Sequence, residues 1–402
     1  MKKVLIIEDD QIVGNVYRNK LAMEGYQVDV ALDGEMGLKV MRTFRPDAIV
    51  LDLMLPKMSG VEVIKQIRGE ANFSKLPIIV FSNTYLTNLI QDAWKAGATK
   101  CVSKINCPPK ELLELMRRTI GGGVVLPGRP KTEGASATKP ATAINEADAE
   151  FQAELRKTLI ASLPATLAVL RAGLQSLIKS DTEEAQLKHI HDLYRRVHAV
   201  SGNASIAGLV PIAHLAAALE ALLKELYEKP KNINSSTLRT VATTVDFLGF
   251  LFQHGTRPDK QEIPPASILV VDDEAISRRA IIYALEKAQL QSVSVEDPNA
   301  AFKLLSENQF DLVLLDVDMP GMTGYELCNK LRNLPLHKKT PVVFITGLSD
   351  FDNRTSSMMA GGNDFIAKPF LFIELTVKAL IHVLRGKLQP RQMAGIHPVS
   401  KS

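Results

Sequence analysis

One arrangement of chemically competent side chains occurs twice in this chain, with the same intervals. Glu8-Asp9 closes an apolar run near the start, and Asp272-Asp273 closes another much later. From the second acid of each pair, an Asp ends a further apolar run 43 residues on, at Asp52 and Asp316. A hydroxyl residue follows 30 further on, at Ser82 and Thr346, and a lysine 22 beyond that, at Lys104 and Lys368. All these groups fall at the ends of strand-like runs, where open parallel sheets bind their ligands. Three carboxylates brought together resist ionising side by side. A divalent cation relieves the conflict, and an all-oxygen ligand set favours Mg²⁺. The lone Asp then keeps an oxygen free to attack phosphorus and form an acyl phosphate. Metal, hydroxyl and ammonium would meet the three equatorial oxygens of the transferring group. Either set alone also reads as helix N-caps and a surface lysine; two sets in one register argue against that plainer reading.

The elements that must hold these groups follow from hydrophobic periodicity. Residues 1–121 carry short Val/Ile-rich runs at Val4–Ile7, Val28–Leu32, Ala48–Leu51, Ile78–Phe81 and Cys101–Val102. Amphipathic stretches such as Gln11–Glu24 and Gly60–Arg68 separate them. The alternation predicts a doubly wound α/β domain with a five-stranded parallel, flavodoxin-like sheet. Residues 267–385 repeat it, most clearly at Ile268–Val271, Val313–Leu315 and Val342–Ile345. Residues 147–254 hold no strand-like run. Leucines recur there at helical spacing from Leu155 to Leu177, with further stripes at Leu187–Val197, Leu215–Leu226 and Leu238–Leu251. Four such stripes predict an all-α four-helix bundle, with Pro164 bending or dividing the first helix. Residues 122–146 read as a flexible linker, 255–266 as a Pro-rich linker, and 386–402 as a polar tail.

Bulk properties narrow the class. The 402 residues suit two or three domains, and a net charge of +4 does not point to nucleic acid. Three cysteines in no metal-binding spacing fit a reducing compartment. Four apolar residues before Glu8 are too few for a signal-peptide core. No apolar run in the sequence reads as a membrane span. The expectation is a soluble, cytoplasmic protein without membrane or nucleic-acid partners.

Of the histidines in the helical region, His198 stands out. Gly202 lies four residues on, on the same helix face, where it removes side-chain bulk beside the ring. A mid-helix Gly costs about 1 kcal/mol against Ala, so its presence suggests that a partner surface approaches the imidazole. Arg195, on the same face, is placed to steer phosphate. His189, His191, His214 and His254 carry no comparable pattern, and no carboxylate spacing supports a metal site built from His191, His198 and His214.

At this point a resemblance takes shape. Residues 1–121 and 267–385 resemble response-regulator receiver domains, through Glu8, Asp9, Asp52, Ser82 and Lys104, and through Asp272, Asp273, Asp316, Thr346 and Lys368. Pro56 and Gly60 recur as Pro320 and Gly324. The resemblance implies phosphorylation at Asp52 and Asp316, and a metal ligand from the backbone carbonyls of Met54 and Asp318. The first copy departs from the family pattern: Ile105 stands where the second has Pro369, and Cys101 where the second has Phe365. This suggests a weaker switch in the first copy. Asp316-Val317-Asp318 also resembles the Asp-x-Asp of haloacid-dehalogenase phosphatases, but those lack the upstream acidic pair. The segment from His198 through Gly202, Asn203 and Ala204, with Leu219-Glu220 later, resembles a histidine phosphotransfer domain, except that Ser201 replaces its usual lysine.

Receiver, phosphotransfer domain and receiver in one chain imply a phosphorelay protein. No phosphate-binding Gly-x-x-x-x-Gly-Lys-Ser/Thr loop is present. The implied phosphate source is therefore a separate sensor histidine kinase, with other receiver or phosphotransfer proteins as further partners. On this reading the chain is a phosphoacceptor and not an ATP-driven enzyme. The alternatives are a scaffold that works without phosphorylation, its bundle degenerate, and a receiver that serves as a phosphate sink. A DNA-reading regulator is disfavoured, since no basic recognition helix is evident.

Overall fold

The computed structural model describes residues 1–82, 89–104, 107, 109–120, 146–254, 265–347 and 360–388. The expected linkers, apart from Glu146, Pro265 and Ala266, lie outside these residues, as do Ile105 and nearly all of the expected tail. That tail was expected from residue 386, but the last helix continues to Leu388. The chain divides into two compact units, Met1–Ile233 and Asn234–Ser402.

The first unit opens with β1 (Lys3–Ile7), α1 (Gln11–Met23), β2 (Gln27–Ala31), α2 (Gly34–Phe44) and β3 (Ala48–Leu51). It continues with α3 (Gly60–Gly69), β4 (Ile78–Phe81), α4 (Leu89–Ala96), β5 (Lys100–Val102) and α5 (Pro109–Ile120). The strands form one parallel sheet in the order β2-β1-β3-β4-β5. Its central strands are buried along their whole length, which is why they read as unbroken apolar runs. Helices α6 (Glu146–Ile178), α7 (Glu183–Ile206) and α8 (Val210–Glu228) complete the unit, α7 packing on both α6 and α8. Pro164 does not divide α6, which runs through it as one helix. The Arg156–Ile178 stretch of α6 is long and apolar enough to cross a membrane by length and composition, contrary to the sequence expectation. Here it lies against α7, with Leu159, Leu163, Leu170, Leu174 and Leu177 buried.

The second unit begins with α9 (Ser235–His254), followed by β6 (Ile268–Val271), α10 (Ala275–Lys287), β7 (Ser292–Val295), α11 (Pro298–Glu307) and β8 (Leu312–Asp316). It ends with α12 (Gly324–Arg332), β9 (Val342–Thr346), β10 (Asp364–Ala367) and α13 (Phe372–Leu388). Its parallel sheet has the matching order β7-β6-β8-β9-β10. The fourth helical stripe forms α9, which falls in this unit and packs on α13. The contact is polar as well as apolar. Ser236 and Thr240 donate to the buried Glu374 Oε1 at 2.6 and 3.0 Å, and Arg239 lies over the ring of Phe365.

The helices after β3 and β8, α3 and α12, begin in the same way. Ser59 and Glu62 form a capping box, as do Thr323 and Glu326. The glycine at the first helical position is a steric requirement. A Cβ on Gly60 would sit 2.3 Å from the carbonyl oxygen of Asp52, and one on Gly324 2.1 Å from that of Asp316. Gly324→Ala is therefore expected to destabilise the second unit by about 1–3 kcal/mol. Gly386→Ala, where the added methyl meets nothing, should instead gain up to ~1 kcal/mol from helix propensity. Denaturant unfolding of the two variants checks the pair.

Candidate functional site

In the second unit the loop ends of β6, β8 and β10 gather the expected residues. Asp272, Asp273 and Asp316 each offer a carboxylate oxygen within 4.8 Å of the others. The Lys368 ammonium bridges Asp316 at 3.1 Å and Asp272 at 3.2 Å, and the Lys368–Pro369 peptide is cis. Ser277 and the backbone N–H of Glu274 donate to Asp272. Thr346 is buried at the end of β9, and the Asp318 side chain is exposed. Burial, helped by the charge of Asp272, raises Asp316 above the usual carboxylate range, with Lys368 opposing. Phe365, next to this cluster along β10, points into the core of the sheet.

The first unit builds the same cluster and adds to it. Ser82 donates to Asp52 Oδ1 at 2.6 Å, and the buried Lys104 ammonium bonds Asp52 and lies 2.7 Å from Glu8 Oε2. The backbone N–H of Met54 also donates to Asp52 Oδ1. Cys101 is half-buried against the sheet core. The addition is His198. Its Nε2 lies 3.4 Å from Asp9 Oδ1 and 3.7 Å from Asp52 Oδ2, while Nδ1 is 2.9 Å from Glu220 Oε1. Glu8, Asp9, Asp52 and His198 thus form one group. The sequence weighed His198 only against other histidines as metal partners; the structure surrounds it with carboxylates.

The approach of α7 explains Gly202. A Cβ there would already touch Val13 of α1 at 3.4 Å, so a longer side chain would hold the helix away. One turn further, Ile206 joins the core formed by Val13, Val16 and Tyr17. Asn203 reaches Asp10, the residue that caps α1. His198, Gly202 and Ile206 recur every four residues, so a single helix face meets the sheet domain.

Electrostatics follow from this docking. Burial works against the imidazolium, but Glu220, Asp9 and Asp52 outweigh it and raise His198 well above its ordinary value. Burial likewise opposes the Asp52 carboxylate, but Lys104, His198 and Ser82 hold it at about 2. Glu8 goes the other way: burial lifts it to about 8 against the pull of Lys104. Two matching Asp residues therefore differ in direction: the buried Lys104 together with His198 outweighs burial at Asp52, whereas Lys368 does not outweigh burial and the charge of Asp272 at Asp316.

Arg195, expected at the phosphate, is exposed and makes no recorded bond to the cluster among the described residues. Two groups that the sequence did not assign stand nearer. Glu220 is almost fully buried within the apolar face of α8, and Lys224, one turn on, reaches Met54 Sδ at 3.4 Å. For Glu220 the sequence offered its place in the resemblance, as Leu219-Glu220, and its standing as a lone acid inside the Leu219–Leu222–Leu226 stripe, but no contact with His198.

A doubly wound sheet that collects two or three acids, a hydroxyl and a lysine beyond its strand ends defines a receiver-type domain, present here twice. Comparison with protein families agrees. The response regulator receiver domain matches residues 4–117 and 268–380, more than half of the chain, and the Hpt domain matches 154–246. The chain belongs to the response regulator receiver family, with an Hpt domain between its two receiver domains. These are the domains of two-component phosphorelay signalling. The chain is 35% identical over 112 residues to the phosphate regulon transcriptional regulatory protein PhoB of Pseudomonas aeruginosa, covering 28% of this chain and 49% of that protein. It is 36% identical over 116 residues to the transcriptional regulatory protein SrrA of Staphylococcus aureus, covering 28% and 47%. The chain therefore spans about half the length of these curated relatives. Among solved structures, it matches the receiver domain of a signal transduction histidine kinase from Syntrophus aciditrophicus at 30% identity and a TM-score of 0.30, covering 33% of this chain and 99% of that one. A response regulator from Chloroflexus aurantiacus matches at 26% identity and a TM-score of 0.29, covering 30% and 98%.

The His198 geometry sets a pH expectation. A raised imidazole value means that docking is favoured below the free-imidazole range near 6.5 and weakens as pH rises through the docked value. Glu220→Gln removes the carboxylate that most favours the imidazolium, so the His198 midpoint should fall. NMR titration of ring-labelled histidine reads the shift; an unchanged midpoint would show that Glu220 does not hold the ring.

Proposed function

We propose that Asp52 and His198 exchange a phosphoryl group within this chain, and that Asp316 is a second, separate phosphoacceptor. The observation that carries this reading is the 3.7 Å approach of His198 Nε2 to Asp52 Oδ2 inside one compact unit. Glu220 accepts a hydrogen bond at Nδ1 and keeps the proton on that nitrogen, leaving Nε2 as the nucleophile once its own proton departs. Attack then forms the N–P bond as the acyl phosphate O–P bond breaks, the electron pair returning to the Asp52 carboxylate. The same atoms serve the reverse direction. Attack distances of ~3–3.5 Å to phosphorus, plus an O–P bond, exceed the present gap, so α7 must withdraw slightly to admit the group.

The donor set fits a hard divalent cation. Asp9 Oδ1 is a buried acceptor without a hydrogen-bond partner, beside the carboxylates of Glu8 and Asp52. Mg²⁺ would be held by Glu8, Asp9, Asp52 and the Met54 carbonyl, and in the second unit by Asp272, Asp273, Asp316 and the Asp318 carbonyl. When bound, it supplies positive charge to the phosphoryl oxygens. Ser82 with Lys104, and Thr346 with Lys368, would bind the remaining oxygens. Phosphate would come from a separate sensor histidine kinase, and other receiver or phosphotransfer proteins would be further partners.

The test uses the full chain with Asp316→Asn and radiolabelled phosphoramidate plus Mg²⁺. Label should appear first as alkali-stable phosphohistidine and then as hydroxylamine-labile acyl phosphate. His198→Gln should remove the first and delay the second; Asp52→Asn should remove the second and let the first accumulate. Acyl phosphate forming on the same time course in His198→Gln would defeat the proposal.

A further inference from the structure

The first site has more negative charge than its fixed cations can balance. Asp9, Asp52 and Glu220 face His198 with Glu8 beside them, and Lys104 is the lysine bonded to Glu8 and Asp52. A phosphoryl group on Asp52 adds about one further negative charge, because the carboxylate gives up its own, and His198 must lose its positive charge to receive the group. The set stays negative even with a divalent cation at the acids. On α7, the residue three beyond His198 is the buried, neutral Ser201, and Arg195 and Arg196 are exposed. None of these brings an ammonium or guanidinium group to the reacting pair.

Helix α8 does bring one close. Lys224 lies one turn from Glu220, so both project from the face that holds the His198 ring. Its ammonium rests on Met54 Sδ at 3.4 Å, and the Met54 backbone N–H donates to Asp52 Oδ1 at 3.1 Å. A thioether is a weak acceptor, so leaving it costs little. Its ion pair with the exposed Glu228, at 3.5 Å, is loose, and the side chain is only 18% exposed. A four-carbon stem has the freedom to turn from sulfur to an incoming oxygen.

We infer that Lys224 is a positioning residue of the phosphotransfer: it moves from Met54 to the oxygens of the phosphoryl group in passage between Asp52 and His198. It rests on the Asp52–His198 exchange proposed above. Lys224 keeps its proton throughout. The phosphoryl group leaves one atom of the pair for the other, the N–P bond breaking as the O–P bond forms or the reverse, and no other reactant is consumed.

The test compares Lys224→Met with the exposed control Lys229→Met, in the full chain carrying Asp316→Asn. Methionine keeps the apolar stem and the contact with Met54 while removing the charge. Phosphoramidate labelling with rapid quenching follows the passage from phosphohistidine to acyl phosphate. Backbone hydrogen exchange of α1 and α7 reports docking separately. Lys224→Met should slow the transfer about ten- to a hundredfold, the range expected for one charge-assisted hydrogen bond. Protection of α1 and α7 should not change. Adding Ser201→Lys, which brings a charge to the same group from α7, should restore part of the rate. An unchanged rate in Lys224→Met overturns the inference, and so does slowed transfer accompanied by lost protection, which would make Lys224 a docking contact only. Absence of exchange in the parent would instead refute the exchange itself.

Discussion

Carboxylates crowded beyond the end of a parallel sheet are stable only when positive charge reaches them. Every feature of the two sites follows from how that need is met. In the second unit, Lys368 spans Asp272 and Asp316, and its side chain is 22% exposed, so solvent helps to support the cluster. In the first, Lys104 is buried between Glu8 and Asp52, and His198 enters as a second positive group. Water is replaced by an imidazolium from another helix. The low Asp52 value and the raised Asp316 value are two consequences of that difference.

Bringing a helix this close makes demands far from the charges. Gly202 leaves room for Val13, Ile206 fills the apolar surface beside α1, and Asn203 meets the residue that caps α1. The apolar contact supplies non-directional attraction and the glycine sets the distance. Glu220 then fixes the ring, so that Nε2, and not Nδ1, faces Asp52. Docking and ring orientation come from two helices, α7 and α8, packed along each other.

The second unit meets a different demand. Its last helix carries a buried acid, Glu374, which would be costly without partners. Ser236 and Thr240 of α9 provide them, and Arg239 covers the ring of Phe365. Helix α9 carries apolar residues at helical spacing, and its buried hydroxyls match an acid that nothing in the sequence marked as buried.

Repetition carried much of this protein's character in its linear order. The intervals among Asp9, Asp52, Ser82 and Lys104, matched by those among Asp273, Asp316, Thr346 and Lys368, placed acid, hydroxyl and lysine at strand ends, because buried parallel strands must be short apolar runs. Gly60 and Gly324 were visible as a repeated offset, although the carbonyl that each accommodates was not. His198 was legible from Gly202, a helix-weakening residue where nothing local required one. What surrounds His198 was not, because Glu220 and Lys224 lie on another helix and Asp9 and Asp52 on another domain. Spacing along one helix pointed to Arg195, which faces water. Local sequence sets which groups share a strand end or a helix face. Which faces meet, and hence which charges neutralise one another, depends on packing between segments far apart in the chain.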